Sequence, residues 1–179
     1  DSISLANRGA KVTATDISPD AISAACELAK KTEIEVDFRV CNTYDVANQI
    51  KGEFDIVFAT YGTICWLPDL EPWAEVIKAK LKPGGSLYLI EFHSFIDMLN
   101  DDYNDFGYPY FNEGVLTGDY EATYADTNAK IDADCYFWNH PISEILNALI
   151  KVGLRIEHFN EYDYTPWPCF DKLKEDEPG

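Results

Sequence analysis

Lys11-Val12-Thr13-Ala14-Thr15-Asp16-Ile17-Ser18-Pro19-Asp20 is the stretch whose reading decides the fold. It reads as a short strand that ends on an acid and passes at once into a helix. Val12, Ala14 and the small residues around them suit a buried parallel strand, whose residues alternate little because helices cover both faces. Ser18 is a good N-cap, and Pro19 falls at the first helical position, where its missing N–H costs nothing. The helix behind it, Ala21 to Lys31, carries an apolar stripe of Ala21, Ile22, Ala25, Leu28 and Ala29, the pattern of a helix packed on a sheet. Asp16 therefore stands at the carboxyl end of a strand, where open α/β sheets bind ligands. A carboxylate there can accept both hydroxyls of a ribose.

Composition sets the class. The chain has 179 residues, enough for one domain with a sizeable core, and 46% of them are apolar, so a packed protein is expected. A net charge of −18 argues against nucleic-acid or anionic-membrane surfaces, which require clustered Lys and Arg. Five widely spaced cysteines, with no Cys-x-x-Cys pair, fit reduced thiols in a cytoplasmic protein better than a disulfide framework. The three histidines lack metal-ligand spacing, so no metal site is expected. No apolar run approaches the roughly 20 residues needed to span a bilayer.

Outward from the decisive stretch, Asp1 to Arg8 reads as the tail of a helix closed by Gly9. Glu35 to Val40 alternates as a strand, and Asn42 to Asp45 follows it as a polar loop. Phe54 to Ala59 is an apolar strand left by Thr60-Tyr61-Gly62, and Asp69 to Pro72 opens a helix with the stripe Trp73, Ala74, Ile77 and Leu81. Lys82-Pro83-Gly84-Gly85 turns into a strand over Ser86 to Phe92. This is the βαβ rhythm of a parallel sheet. It breaks over residues 96–139, where aromatics and acids mix with glycines and where Val115–Tyr124 and Ile131–Trp138 are expected to pair around 125–128. An insertion of this length at a ligand-binding edge is expected to be a substrate lid. Pro141 then starts a helix capped by Gly153, Leu154 to Tyr162 reads as a last strand, and the tail from Asp171 is polar.

The acid-ended strand Thr15-Asp16-Ile17-Ser18, the polar pair Asn42-Thr43, the loop Thr60-Tyr61-Gly62 and the turn Lys82-Pro83-Gly84-Gly85, taken in this order, resemble the class I S-adenosylmethionine-dependent methyltransferases of the small-molecule type. The longer run Tyr61 to Leu70 looks like a bacterial subgroup of that family. The resemblance implies a Rossmann-like, doubly wound, mostly parallel sheet in a single partial domain spanning 1–179. The family's Gly-rich first loop and a final antiparallel strand have no counterpart here, so the chain reads as incomplete at both ends. The resemblance further implies cofactor contacts at Asp16, Ile17, Asn42, Thr43, Thr60 and Tyr61. Asn42 stands where many relatives carry an Asp that binds the adenine amino group, and an amide oxygen can accept the same bond.

Methyl transfer from a sulfonium needs in-line positioning, exclusion of water and, for a protonated acceptor, a base. His93 is the expected general base because its unperturbed pKa lies near neutrality. Tyr61 is expected beside the reacting methyl, and Trp66, Glu91 and His93 are expected to face a small-molecule acceptor, aromatic faces suiting a cationic centre. The competing roles are structural: a helix-start contact for His140, a buried thiol for Cys65, core packing for Trp66 and Trp73. Two other functions fit parts of the pattern. A nicotinamide-dependent oxidoreductase also uses an acid at this strand end, although no Tyr-x-x-x-Lys pair is present; a methyltransferase-like protein that binds cofactor without turnover is the other.

Overall fold

The computed structural model describes residues 1–100, 103–120 and 133–164. They sort into two compact units, Asp1–Val57 with Glu71–Leu87, and Phe58–Leu70 with Tyr88–Gly179.

In the first unit a short helix, α1 (Ser2–Asn7), ends before Gly9, whose φ of +96° only glycine adopts without strain. β1 (Thr13–Asp16) runs parallel to β2 (Asp37–Val40), in register from Thr13↔Asp37 to Asp16↔Val40. The crossover helix between them, α2 (Pro19–Thr32), touches both strands. Its start follows the reading above: the Ala21 N–H donates to Ser18 Oγ at 3.2 Å, and proline occupies the first turn. Its end differs, because Glu33 takes the left-handed position at φ 56° where glycine is usual. After β2 a 3₁₀ turn, Thr43–Asp45, leads into α3 (Val46–Gln49).

β3 (Phe54–Thr60) and β4 (Leu81–Ile90) are hydrogen-bonded neighbours, joined through α4 (Leu70–Lys80). The predicted stripe is buried: Trp73 is 1% exposed and Ala74 and Ile77 are likewise buried on α4, while Leu81, expected on the helix, is the buried first residue of β4. The Lys82–Gly85 turn is absorbed into the start of β4, with Gly84 at φ +81°. Gly85 is required there for another reason, since a Cβ would sit 3.0 Å from the Phe54, Asp55 and Lys82 carbonyl oxygens. Lys82 Nζ pairs with the Asp55 carboxylate at 2.9 Å.

In the second unit β5 (Leu116–Tyr120) and β6 (Ala133–Phe137) pair antiparallel from Leu116↔Phe137 to Tyr120↔Ala133. This is the expected hairpin; its turn at 125–128 and the polar tail lie outside the described residues. α5 (Ile142–Lys151) starts after Pro141 and stops before Gly153 at φ +85°.

Two expectations need correction. Leu154 to Tyr162 forms no strand, because alternation makes a strand only where a partner supplies the ladder, and among the described residues none does. The strand faces are also less buried than a doubly covered sheet requires. Thr15 and Asp16 are exposed, and Ile56 and Tyr88 are 62% and 57% exposed. The described strands form three separate pairs, so each has one neighbour where a continuous sheet would give inner strands two.

Candidate functional site

In the first unit the residues marked by the nucleotide-fold reading sit at the ends of β1 and β2. Asp16 is the last residue of β1 and exposed; its Oδ1 accepts the Ser18 N–H at 2.8 Å. That bond fixes the carboxylate in the turn and leaves the second oxygen to accept from a ligand. Ile17 beside it is 66% exposed. At the end of β2, the Asn42 side chain caps the following turn by accepting the Tyr44 N–H at 3.0 Å. The amide oxygen has a second lone pair and the amide nitrogen two hydrogens, so capping does not exhaust it. Thr43 is half-buried at the start of that turn.

In the second unit the chain leaving β3 makes an unusual turn. Tyr61 and Gly62 both have positive φ, 56° and 83°. A left-handed tyrosine costs about 1 kcal/mol or more, and three interactions hold it. The Tyr61 N–H donates to Ile90 O at 2.7 Å, the Thr63 hydroxyl donates to Thr60 O at 2.9 Å, and Glu91 accepts from the next three amides. The Gly62, Thr63 and Ile64 N–H groups reach the Glu91 carboxylate at 2.6, 2.9 and 3.1 Å. Both Glu91 oxygens are thus committed to the backbone. Burial raises its pKa, and these three amide bonds work against that rise. Glu91, expected to face the acceptor, is in this structure the anchor of the Tyr61–Trp66 loop.

The rest of the loop is tied down from the other side. The Cys65 thiol donates to Gly62 O, Cys65 O accepts the Trp138 N–H at 2.8 Å, and His140 Nε2 donates to Leu67 O at 2.8 Å. Burial pushes the Cys65 thiol up to about 12, with Asp97 and Glu91 adding to the rise. This is the inert buried thiol of the competing reading. His140 is likewise a structural contact before α5, almost fully buried, as that reading has it. Trp66, by contrast, is 49% exposed and Tyr61 41%, so both present rings to solvent, whereas Trp73 is core.

His93 has neither ring nitrogen free. Its Nδ1 accepts the Phe95 N–H at 3.0 Å, and Nε2 lies 2.6 Å from Glu161 Oε1. With Nδ1 as acceptor the proton resides on Nε2 and is donated to that carboxylate. To act as a base from this arrangement, His93 must first release one of the two partners.

A residue that no motif singles out lies beside this loop. Asp97, in the 3₁₀ turn Ile96–Met98, lines a cavity of about 20 Å³ together with Gly62, Cys65, Glu91, Ser94 and His140. Burial raises its carboxyl to about 6, Glu91 adds to the rise, and His140 and His93 oppose it. Among the described residues no hydrogen-bond donor reaches that carboxylate. The one signal in the sequence is an acid set inside the apolar run Phe95-Ile96-Asp97-Met98-Leu99.

Residues 1–85 match the family model of the methyltransferase domain. The ubiquinone biosynthesis O-methyltransferase of Xanthomonas euvesicatoria is 34% identical over 86 residues, 48% of this chain and 36% of that protein. Its counterpart in Xanthomonas campestris is 33% identical over 85 residues, 48% of this chain and 35% of that protein. The match thus spans little over a third of the length of these relatives. Among solved structures, an S-adenosylmethionine-dependent methyltransferase from Clostridium acetobutylicum superposes with a TM-score of 0.65 at 14% identity, over 86% of this chain and 68% of that one. One titled a putative S-adenosylmethionine-dependent methyltransferase, from Listeria monocytogenes, gives 0.61 at 16% identity, over 84% and 70%. These likenesses establish the fold, a Rossmann-like α/β arrangement. The methyltransferase-domain match covers residues 1–85, somewhat under half of the chain, and the solved methyltransferases share its fold.

Proposed function

We propose that the protein transfers a methyl group from S-adenosylmethionine to a small-molecule acceptor. The observation that carries the reading is Asp16: an exposed carboxylate at the end of a parallel βαβ strand, fixed by Ser18 with one oxygen uncommitted. That geometry fits the two hydroxyls of a ribose. Ile17, Asn42 and Thr43 would contact the adenine, and Thr60 and Tyr61 the methionine portion. The cofactor's sulfonium supplies the methyl group. The chain's own residues bind and orient it, and the acceptor side is expected from Tyr61, Trp66, Glu91, His93 and the 96–139 insertion, read here as a substrate platform. Within that set Glu91 acts by holding the loop, and His93 takes part once Glu161 or Phe95 lets go.

The name of the Xanthomonas relatives supports a hydroxyl as the methylated group, although the likeness to them covers 48% of this chain. The charge of −18 supports an acceptor other than nucleic acid or a membrane surface. No helix among the described residues is long and apolar enough to cross a membrane. Free thiols at Cys26, Cys41, Cys65 and Cys135 support a cytoplasmic setting.

Calorimetric titration of S-adenosylmethionine tests the reading, with Asp16→Ala alongside. Micromolar binding weakened at least about tenfold by the substitution, or about 1.4 kcal/mol, is the expected result. Binding of a nicotinamide cofactor in place of S-adenosylmethionine would refute it and favour the oxidoreductase.

A further inference from the structure

We infer that Asp97 is the residue that takes the proton from the methyl acceptor, and that the acceptor presents a hydroxyl to the cavity Asp97 lines. The inference rests on the methyl-transfer reading and deepens it.

A base needs an uncommitted lone pair beside room for the group it deprotonates. Glu91 already accepts three backbone N–H groups and both His93 ring nitrogens are engaged. Asp97 is a half-buried carboxylate that, among the described residues, receives no donor. The space before it, about 20 Å³, has the size of one water molecule, which is also the size of a hydroxyl group. Gly62 and Cys65 also line this space, in the loop that the proposed function runs past the methionine portion of the cofactor.

His140 also lines this cavity. His140 donates through Nε2 to Leu67 O, and its Nδ1, 3.2 Å from Glu144 Oε1, is not aligned for a hydrogen bond. A buried polar atom without a partner marks where a ligand atom or water completes the network. The charged and titratable groups acting on Asp97 are Glu91 after β4, Cys65 in the loop, His93 before the turn and His140 before α5. Glu91 opposes ionisation of Asp97 and the two histidines favour it. The raised carboxyl of Asp97 is one matched to accepting a proton near neutrality.

In the step itself the acceptor oxygen's electron pair forms the new bond to the methyl carbon. The hydroxyl proton passes to the Asp97 carboxylate, and the pair of the broken carbon–sulfur bond stays on sulfur. Release of that proton to solvent resets the chain.

The test has an acceptor-free arm and a kinetic arm. In carboxyl-¹³C NMR of the full chain, the Asp97 signal, assigned by its loss in Asp97→Asn, is expected to titrate near pH 6. A midpoint in the ordinary carboxylate range, about 4, overturns the inference. In the kinetic arm, transfer from labelled S-adenosylmethionine to 3,4-dihydroxybenzoate and a panel of phenols, primary amines and tertiary amines is followed against pH. For phenols, kcat is expected to climb through about pH 6 in the wild type and to fall at least about 100-fold in Asp97→Asn. S-adenosylmethionine binding should stay within about twofold, with partial rescue by Asp97→Glu. An unchanged pH profile in Asp97→Asn, or turnover of tertiary amines alone, overturns the inference while methyl transfer stands. Failure of the wild type to bind S-adenosylmethionine overturns both.

Discussion

Asp97→Asn is expected to make the protein more stable at neutral pH, and the size of the gain follows from the burial of one carboxyl. In the folded chain that carboxyl is raised from the ordinary 3.8 to about 6. An acid whose pKa rises on folding binds its proton more tightly in the folded state than in the unfolded one. Stability is then fullest below about pH 4 and is lost as pH climbs towards 6. About two pKa units at 1.36 kcal/mol each come to about 3 kcal/mol of stability surrendered by pH 7. Asn fills the same space, cannot ionise, and escapes the loss. Urea unfolding followed by tryptophan fluorescence, repeated at steps between about pH 4 and 8, measures the difference. Taking the difference between variant and wild type removes the general effect of the chain's large negative charge, which the two share but for one unit. The two curves should meet near pH 4 and separate by about 3 kcal/mol at pH 7.5, the variant the more stable. A variant equally or less stable at pH 7.5, or a gap that does not change with pH, refutes the reasoning. The expected gap would mean that the wild type retains a stability-costing acid, as a working site does more often than a scaffold.

Four further substitutions probe the framework. Glu91→Ala strands three partly buried amides and should cost about 3 kcal/mol, with faster hydrogen exchange confined to Gly62, Thr63 and Ile64. Gly62→Ala forces alanine into a left-handed conformation and should lower stability by about 1 kcal/mol, read from the urea midpoint; the nearest side chain, Phe92 at 3.7 Å, leaves room for the methyl. Ser18→Ala removes the α2 cap at a cost of about 1 kcal/mol, visible as a reduced helical signal on mild heating. Trp73→Ala, at a position 1% exposed, should cost about 3–5 kcal/mol and lower the thermal midpoint by about 6–20 degrees.

The elements that local physics controls were legible in the sequence. Ser18-Pro19 and the Ala21–Ala29 stripe delimit α2 to within a residue or two, Trp73, Ala74 and Ile77 give the buried face of α4, and Leu116–Tyr120 pairs antiparallel with Ala133–Phe137 inside the expected hairpin. What depends on partners was not legible. Leu154 to Tyr162 alternates convincingly, but alternation says nothing about whether a neighbour exists to pair with it. Ile56 and Tyr88 belong to apolar strands whose exposure is set by how many strands flank them. At the candidate site, Asp16 was singled out by a local strand-to-helix pattern and Asn42 by the family resemblance. Glu91 was noticed, but its task was hidden, since the amides it holds lie 27 to 29 residues earlier. Asp97 belongs to no motif, and only the cavity beside it gives the residue a meaning.

The left-handed pair at Tyr61-Gly62 turns three successive amides towards one point, which makes the turn an anion nest. Such nests normally await a phosphate or a free carboxylate; this one is filled by the chain itself. The shape of the loop is therefore decided by a charge at the end of another strand, so mutations within the loop that keep its backbone should be tolerated better than any that neutralise Glu91. A prosthetic anion supplied covalently cannot dissociate, and the loop is preset before any ligand arrives.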